Sequence, residues 1–226
     1  MGLNILYQDG DLLVIDKPAG LRVVQDGYHP ELPSIRALLD AQFGKVFIVH
    51  RLDKDTSGVL LVAKNAFVHR SLNLQFEKRE VEKEYHAIVI TPTGFPKHLT
   101  IDQPLRVDGD RRHRTVVDNE HGKPALTEFI CIEPYSMVTL VKALPKTGYT
   151  HQIRAHAANA GFPLLGDRMY TFPGKARMQT VGLPEFPRPA LHAFSICFRH
   201  PRTAVLMTLS AEYPPDFSRL LEELNK

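Results

Sequence analysis

A dense run of polar and charged side chains occupies residues 50–58, with the sequence HRLDKDTSG. It lies between two apolar strings, VFIV at 46–49 and VLLVA at 59–63, which are typical of core strands. A turn between two strands needs a glycine and a capping side chain, but it does not need His, Arg, Asp, Lys and Thr together. The residues alone leave two interpretations open, which are turn chemistry and a functional site.

The same run imitates the first half of a calcium-binding loop, because Asp53, Asp55 and Ser57 alternate along it. A calcium loop requires a bidentate Glu at its twelfth position, where this chain has Lys64, so calcium is excluded. The sequence contains no GxxxxGK[ST], GxGxxG, GxSxG or HExxH motif. We therefore expect no metal, nucleotide or other cofactor, and an enzyme built from this chain would use carboxylate, Tyr and Arg side chains.

Positive charge is clustered, although the formal net charge is only +3. One cluster surrounds Asp108-Gly109-Asp110, which predicts a hairpin tip or an extended arm. Clustered positive charge suits contact with phosphate groups, whereas charge alone favours the plainer interpretation of a solvated basic surface. The cluster consists of Arg106, Arg111, Arg112, His113 and Arg114.

Length and composition place the chain among ordinary globular proteins, with 226 residues, of which 43% are hydrophobic and 23% charged. Cys131 and Cys197 lie far apart in apolar strings, so we predict buried thiols without a disulfide or a zinc site. The first residues lack a signal-peptide pattern, and the apolar runs are too short to span a bilayer. A cytoplasmic protein without membrane contact is expected.

Strands and helices must position the polar run. Residues 3–7 and 12–16 flank Asp9-Gly10, which predicts a β-hairpin. Ser34 and Gly44 have the residue types of a helix start and a helix stop. Further strands are predicted at 84–90, 126–132, 137–143, 191–198 and 204–210. Further helices are predicted to begin after the capping residues Asn65, Thr150 and Asp216. Pro-rich loops are predicted at 91–104 and 173–190. This order predicts an α+β fold with a largely antiparallel sheet.

Five segments resemble the motifs of the RluA family of RNA pseudouridine synthases. HRLDKDTSGVLLVAKN resembles the family signature HRLD-x-x-TSG, and the resemblance extends from about residue 4 to about residue 217. One position departs from the pattern, because Tyr149 stands where the family usually has Arg. The other matching segments are KEYHAIV at 83–89, GKPALTEF at 122–129, LPKTGYTHQIRAHAANAGFPLLGDRMY at 144–170 and ALHAFSICFRHP at 190–201.

The resemblance implies the pseudouridine synthase fold, which is a bent, mostly antiparallel central sheet flanked by helices, with the catalytic cleft across the sheet. It also implies one catalytic domain over residues 1–226, without the N-terminal RNA-binding domain that many relatives carry, and we expect a monomer. The implied activity is the isomerisation of specific uridines in structured RNA, either rRNA or tRNA. This reaction adds no atom and changes no redox state, which agrees with the absence of cofactor motifs.

The resemblance also assigns catalytic roles. Asp53 occupies the catalytic position, either as nucleophile on the ribose or as base on the neighbouring ribose carbon. Arg154 is the cation that would pair with Asp53, and Tyr85 would lie against the uracil. Arg51 resembles the residue that fills the place of the extruded uridine, although a salt bridge with Asp55 is an alternative role.

RNA contacts are expected from two regions. The first is a mobile arm, whose side chains Arg111, Arg112 and Arg114 would bind phosphates. The second is the start of a helix at His151 and Gln152, where free N–H groups favour anions. Local capping is an equal alternative role for these two residues. Two rival functions fit the sequence less well. A catalytically silent RNA-binding or RNA-folding protein has no need of the catalytic trio, and a nucleoside or glycoside hydrolase lacks a second motif-supported carboxylate.

Overall fold

The computed structural model describes residues 2–25, 27, 29–172 and 182–226, and the chain forms two compact units. Unit 1 comprises Met1–Lys83 and His192–Pro214, and unit 2 comprises Glu84–Leu191 and Pro215–Lys226. The helices are α1 (Ile35–Phe43), α2 (Ala66–Glu77), α3 (Gln152–Asn159) and α4 (Pro215–Leu224). The strands are β1 (Asn4–Gln8), β2 (Leu12–Lys17), β3 (Phe47–Ile48), β4 (Ser57–Ala63), β5 (Glu82–Ile90), β6 (His98–Asp102), β7 (Leu105–Arg106), β8 (Val116–Val117), β9 (Leu126–Pro134), β10 (Val138–Pro145), β11 (Leu191–Arg199) and β12 (Leu206–Ser210).

Unit 1 is built on the strand order β1-β2-β4-β11, with β3 paired to β4 and β12 paired to β11. The predicted hairpin of β1 and β2 is confirmed, and Asp9 caps its turn by accepting the backbone N–H groups of Asp11 and Leu12. All pairings in this unit are antiparallel except that of β4 with β11, where His192 lies opposite Ser57 and the strands run parallel.

The two helices of unit 1 begin where their capping residues predict. The Ser34 hydroxyl accepts the Ala37 N–H at 3.3 Å, and Gly44 ends α1 with a positive φ of 74°. The Asn65 side chain accepts the Val68 N–H at 3.0 Å at the start of α2. Val68 and Leu72 of α2 are buried in the apolar core of unit 1, as the helical period of the sequence predicts.

Unit 2 contains an antiparallel sheet in the order β5-β10-β9-β6 and a separate pair of short strands, β7 and β8. The prediction of a loop over 91–104 was wrong in part, because β6 pairs with β9 inside it. In this order β6 is the terminal strand, and only Ile101 within it is buried. Leu99 and Ile101 of β6 do alternate with polar residues, but the alternation covers only five residues in a Pro-rich segment, and such a segment is typical of a loop.

The second core lies against α3. Ala87 and Val89 of β5 pack with Ile153 and Ala157 of α3, and this confirms the face predicted for both elements. The predicted start of α3 was wrong by one residue, because His151 rather than Thr150 is the N-cap. The predicted cap of α4 was also displaced. Asp216 lies in the first helical turn, where its carboxylate accepts the Phe217 N–H and pairs with Arg188.

The fold class is α+β with mostly antiparallel strands, as predicted. Cys131 and Cys197 carry free thiols, but both are half-buried instead of buried. The loop predicted at 173–190 lies outside helices and strands over 182–190, and residues 173–181 lie outside the described part of the chain. No helix among the described residues combines the length and apolarity needed to cross a membrane. That residues 1–226 act as one catalytic domain stays a prediction.

Candidate active site

Asp53 lies in unit 1, in the irregular segment 49–56 that connects β3 to β4. Its side chain is half-buried, and its backbone carbonyl accepts the Thr56 N–H at 3.2 Å. The next carbonyl, that of Lys54, accepts the Gly20 N–H at 2.9 Å. The segment 49–56, called the catalytic loop for the role expected of Asp53, is therefore held through backbone atoms of Asp53 and of the residue that follows it, which limits the directions in which Asp53 can point.

Lys17 anchors the same loop and was not recognised from the sequence. Its side chain is fully buried, and its ammonium group donates to the carbonyl oxygens of Pro18 at 2.7 Å, Leu21 at 2.8 Å and Lys54 at 3.1 Å. A buried ammonium is stable only where hydrogen bonds replace its water shell. Lys17 therefore ties the end of β2 to the catalytic loop, and the signal was a lysine at the end of an apolar strand.

His50, Thr56 and Ser57 hold the loop in shape. The His50 Nε2 accepts the Leu61 N–H at 2.9 Å, and its ring stacks on Phe76 at 5.1 Å. Burial lowers the pKa of His50 to about 3, with Lys83 as a second cause, so the ring is neutral and can accept this bond. Ser57 is buried and bonds His192 at 3.0 Å, while Thr56 is buried beside it.

Gly58 adopts a backbone angle that is closed to other residues. Its φ is +111°, and an added Cβ would lie 2.1 Å from the carbonyl oxygen of Ala193. The contact arises from the parallel pairing of β4 with β11, in which Ala193 lies opposite Gly58. The glycine of the TSG motif therefore lets two backbones approach immediately after the catalytic loop.

Arg51 has an exposed side chain on the catalytic loop. An exposed guanidinium beside the candidate catalytic carboxylate is available to a nucleic acid. The prediction that Arg51 occupies the place of an extruded base stays a prediction. The alternative role of Arg51, a salt bridge with Asp55, stays a prediction as well.

Tyr85 lies in unit 2 on β5, where it packs against the apolar cluster that contains Ala87 and Val141. Its side chain is half-buried, so part of the ring rests on the core and part remains accessible. The ring is therefore in part a core aromatic of β5, and its contact with uracil stays a prediction.

Arg154 also lies in unit 2, on α3, and it is buried instead of being an ordinary surface arginine. Its Nε and Nη2 donate to the two carboxylate oxygens of Asp167 at 2.6 and 2.9 Å. The side chain of Asp167 is completely buried, and the same carboxylate accepts the N–H groups of Met169 and Tyr170. Such a bidentate pair fixes the plane of the guanidinium.

Asp167 and Tyr170 were missed as site residues, although both lie in the matching segment LLGDRMY. The Tyr170 ring covers the Arg154 guanidinium, with 4.9 Å from its centroid to Cζ. Gly166 allows the chain to turn here, because its φ is +74° and an added Cβ would lie 2.1 Å from the Arg188 carbonyl oxygen. The available signal was that a buried arginine requires a carboxylate partner.

The basic cluster lies on a hairpin, which was one of the two predicted arrangements, the other being an extended arm. Its basic arm, residues 107–115, is closed by the antiparallel pairing of β7 with β8. Arg111 and Arg112 are exposed, which agrees with a role in phosphate contact. The Arg114 guanidinium is bonded within the protein instead. Its Nε donates to Asp110 at 2.7 Å, and its Nη1 donates to the Met169 carbonyl at 3.2 Å. The hydrogen bond from Arg114 lowers the pKa of Asp110 to about 2.

His151 and Gln152 differ in the roles that the structure gives them. Gln152 is 3% exposed, and its amide accepts from Thr147 and from the Tyr149 N–H, and donates to Leu126 and Thr127. These bonds join Gln152 to β9 and to the segment before α3, and α3 has no side-chain cap, so the local-capping alternative was wrong. That Gln152 contacts RNA stays a prediction. His151 is half-buried with a positive φ of 56°, and its Nδ1 lies 3.1 Å from the Tyr170 hydroxyl.

Tyr149, which stands at the family's usual arginine position, packs against an apolar cluster that includes Leu105, Ala155 and Tyr170. In this chain the position therefore contributes to the core of unit 2. Of the predicted site residues, the structure places Arg51 and Asp53 in unit 1 and all the others in unit 2. Among the described residues there is no group of three or more His, Cys, Asp or Glu side chains arranged to hold a metal ion.

The comparisons with known proteins agree with this description. Residues 11–159 match the family model described as RNA pseudouridylate synthase. Ribosomal large subunit pseudouridine synthase D of Pseudomonas aeruginosa is 39% identical over 239 residues, which cover 99% of this chain and 72% of that protein. An uncharacterised RNA pseudouridine synthase of Bacillus subtilis is 37% identical over 241 residues, which cover 100% of this chain and 74% of that protein.

A solved structure shows the same fold. Human RNA pseudouridylate synthase domain containing 4 superposes with a TM-score of 0.78 and 25% identity, covering 98% of this chain and 93% of that one. The fold and the sequence together define an RNA-modifying isomerase. The chain belongs to the RNA pseudouridine synthase family, and within that class to its RluA branch.

Proposed function

We propose that this isomerase converts specific uridines of large-subunit ribosomal RNA into pseudouridine, with Asp53 as its central catalytic group. The substrate class is supported by the name of the relative from Pseudomonas aeruginosa, and tRNA is the alternative substrate. The proposal includes a monomer that acts without a cofactor in the cytoplasm, where the free thiols of Cys131 and Cys197 stay reduced.

The observation that carries the proposal is the construction of the catalytic loop around Asp53. A half-buried carboxylate stands on a loop whose backbone is bonded by Thr56, Gly20 and the buried Lys17. Breaking the bond between uracil and ribose makes the sugar carbon electron-poor, and a positioned carboxylate stabilises or attacks such a centre. Both roles of Asp53, as nucleophile and as base, belong to the proposal.

Arg154 is proposed to keep the Asp53 carboxylate charged and oriented. This pairing rests on the motif resemblance. The structure of unit 2 supports it by giving Arg154 a fixed orientation, because Asp167 binds two of its nitrogens and Tyr170 covers its face. An arginine held in this way presents its charge without the entropic cost of ordering a free side chain.

Tyr85 and Arg51 are proposed to handle the base. A uridine in folded RNA must leave its stack, which costs about a few kcal/mol, before its ribose can reach a carboxylate. The accessible part of the Tyr85 ring suits stacking on the uracil, and the exposed guanidinium of Arg51 suits the vacated place in the RNA.

Arg111 and Arg112 are proposed as phosphate contacts of the basic arm. Both side chains are exposed, and such contacts determine affinity and its salt dependence instead of base identity. Arg114 is left out of this role because its guanidinium is bonded to Asp110 and Met169.

The test compares two isosteric substitutions in the catalytic loop. Asp53→Asn should abolish pseudouridine formation on large-subunit ribosomal RNA and leave RNA binding within about twofold of the wild type, because shape is kept and only one charge is lost. Asp55→Asn, on the same loop and exposed, should retain most of the activity. Both variants are assayed for conversion on ribosomal RNA and on tRNA.

Full conversion by Asp53→Asn would refute the assigned role of Asp53. Conversion of tRNA alone by the wild-type enzyme would refute the ribosomal substrate. A wild-type protein that binds RNA but converts no uridine would establish the rival function of a catalytically silent RNA-binding protein. Mapping of pseudouridines in cells that carry wild-type or Asp53→Asn protein then identifies the target position.

A further inference from the structure

Tyr170 of unit 2 contacts the predicted catalytic arginine with its ring and the base of the predicted RNA-binding arm with its hydroxyl. The side chain is 5% exposed. Its ring covers the guanidinium of Arg154 at 4.9 Å, and its hydroxyl accepts the Thr115 N–H at 2.8 Å and bonds the Nδ1 of His151 at 3.1 Å. The proposed function uses only the ring of Tyr170, which covers Arg154, and gives its hydroxyl no role.

The hydroxyl end of Tyr170 holds the basic arm. Thr115 is the last residue of the arm before β8, and its own hydroxyl donates to the Thr150 carbonyl at 2.6 Å. The preceding residue, Arg114, donates to the carbonyl of Met169, the neighbour of Tyr170. The base of the arm is thus attached to the segment around Tyr170 and to the start of α3 by adjacent residues.

The ring end of Tyr170 holds the arginine. Asp167 binds the edge of the Arg154 guanidinium, and the Tyr170 ring covers its face, so the two contacts restrict rotation about different axes. The carboxylate of Asp167 also accepts the backbone N–H of Tyr170, which ties the ring to the same turn. A displacement of Tyr170 would therefore reach Arg154 directly.

We infer that Tyr170 is a positioning residue that couples the RNA-binding arm to the catalytic arginine, its hydroxyl orienting the arm and its ring orienting Arg154. The inference rests on the proposed function of Arg154 and of the arm. An arm held by its base is preorganised for RNA and loses less conformational entropy on binding. A guanidinium held by the ring is preorganised for the reaction.

The two ends of Tyr170 can be tested separately. Tyr170→Phe keeps the ring and removes the hydroxyl, so KM for ribosomal RNA should rise about fivefold while kcat stays within about twofold. Tyr170→Leu removes both the ring and the hydroxyl, so its kcat should be lower than that of Tyr170→Phe by a factor of about ten or more. Thr115→Val breaks the arm's bond to Thr150 without touching the ring, and it should reproduce the effect of Tyr170→Phe.

Controls separate coupling from a general loss of stability. Tyr135→Phe removes another tyrosine hydroxyl of unit 2, one that bonds Asn225, and it should change neither KM nor kcat. RNA affinity is measured for each variant in the Asp53→Asn background, so that binding is read without turnover. If Tyr170→Leu fails to fold, Tyr170→Phe and Thr115→Val still decide the role of the hydroxyl, and Tyr170→Met, which has no ring but keeps more of the side chain's length, replaces Tyr170→Leu in the test of the ring.

The outcomes distinguish this inference from the proposed function. An inactive wild-type protein would refute the proposed function. With an active wild type, an unchanged KM in Tyr170→Phe and Thr115→Val would overturn the role of the hydroxyl. A kcat of Tyr170→Leu equal to that of Tyr170→Phe would overturn the role of the ring. If Tyr170→Phe lost as much kcat as Tyr170→Leu, the assignment of separate roles to the hydroxyl and the ring would be overturned.

Discussion

Gly58 and Ala193 meet backbone to backbone, and an added Cβ at Gly58 would lie 2.1 Å from the Ala193 carbonyl oxygen. The contact belongs to the parallel pairing of β4 with β11, which joins segments 135 residues apart, as the Ser57–His192 hydrogen bond also does. The first strand residues after the catalytic loop are therefore located by a distant part of the chain. The position of the β4 end that adjoins the loop therefore depends on a contact that no neighbouring residue provides.

Gly58→Ala should destabilise unit 1 strongly. The added methyl group meets a backbone carbonyl, and alanine is strained at a φ of +111°, so we expect a loss of about 3 kcal/mol or more in the free energy of unfolding. Urea denaturation measures it. Gly10→Ala is the matched control, because no atom lies within 4 Å of a Cβ there. Equal stability of the two variants would show that the backbones can separate at no cost.

The acid stability of unit 1 should depend on His50. Burial lowers the pKa of His50 to about 3, so between about pH 6.5 and pH 3 the unfolded chain binds a proton that the folded chain does not. Stability is therefore lost as the pH falls through this window. Between about pH 7.5 and pH 5, the wild type should lose about 2 kcal/mol more than His50→Gln, whose side-chain oxygen can still accept the Leu61 N–H.

Urea denaturation of both proteins at the two pH values checks this expectation. The pKa of His86, in unit 2, is also lowered by burial, but His86 is present in both proteins and its contribution cancels in the comparison. Parallel stability curves for the wild type and His50→Gln would contradict the assigned burial of His50.

Local signals in the sequence predicted those elements whose ends are fixed by neighbouring residues. Ser34 and Asn65 cap their helices with their own side chains, and Asp9 closes the first hairpin. Each of these boundaries is therefore determined by a few adjacent residues. The motif string likewise located Asp53, because the polar run between two apolar strands is itself a local feature.

Distant contacts explain most of what sequence analysis missed. The start of α3 moved from Thr150 to His151, because the Thr150 carbonyl accepts the Thr115 hydroxyl of the arm and His151 bonds Tyr170. Arg114 was predicted to face RNA, but its Nη1 reaches the carbonyl of Met169, 55 residues away. Periodicity and capping rules contain no information about such partners, so they could not separate Arg114 from its exposed neighbours.

Arg111 and Arg112 should account for part of the salt dependence of RNA binding. Each phosphate contact contributes about one unit to the slope of log Kd against log salt concentration, so Arg111→Gln combined with Arg112→Gln should reduce the slope by about two. Filter binding over a range of salt concentrations measures it. An unchanged slope would remove the arm from the RNA interface.

A second double variant is the control for charge in the arm. Asp110→Asn combined with Arg114→Gln removes an internal ion pair and leaves the net charge of the arm unchanged. Its slope should equal that of the wild type, because the Arg114 guanidinium is already bonded to Asp110 and Met169. A reduced slope here would show that Arg114 leaves Asp110 to contact phosphate.

Asp167 and Asp216 form two bidentate arginine pairs in unit 2 that differ in burial. The Arg154–Asp167 pair has a fully buried carboxylate, whereas the Asp216 side chain of the Arg188–Asp216 pair is 32% exposed. Removing the charge of Asp167 takes a charge-assisted bidentate contact away from a buried guanidinium, which costs about 3 kcal/mol or more, whereas water can approach the partly exposed Asp216, where we expect about 1 kcal/mol. Asp167→Asn should therefore destabilise unit 2 more than Asp216→Asn does. Urea denaturation compares them, and equal losses would mean that Arg154 does not depend on Asp167.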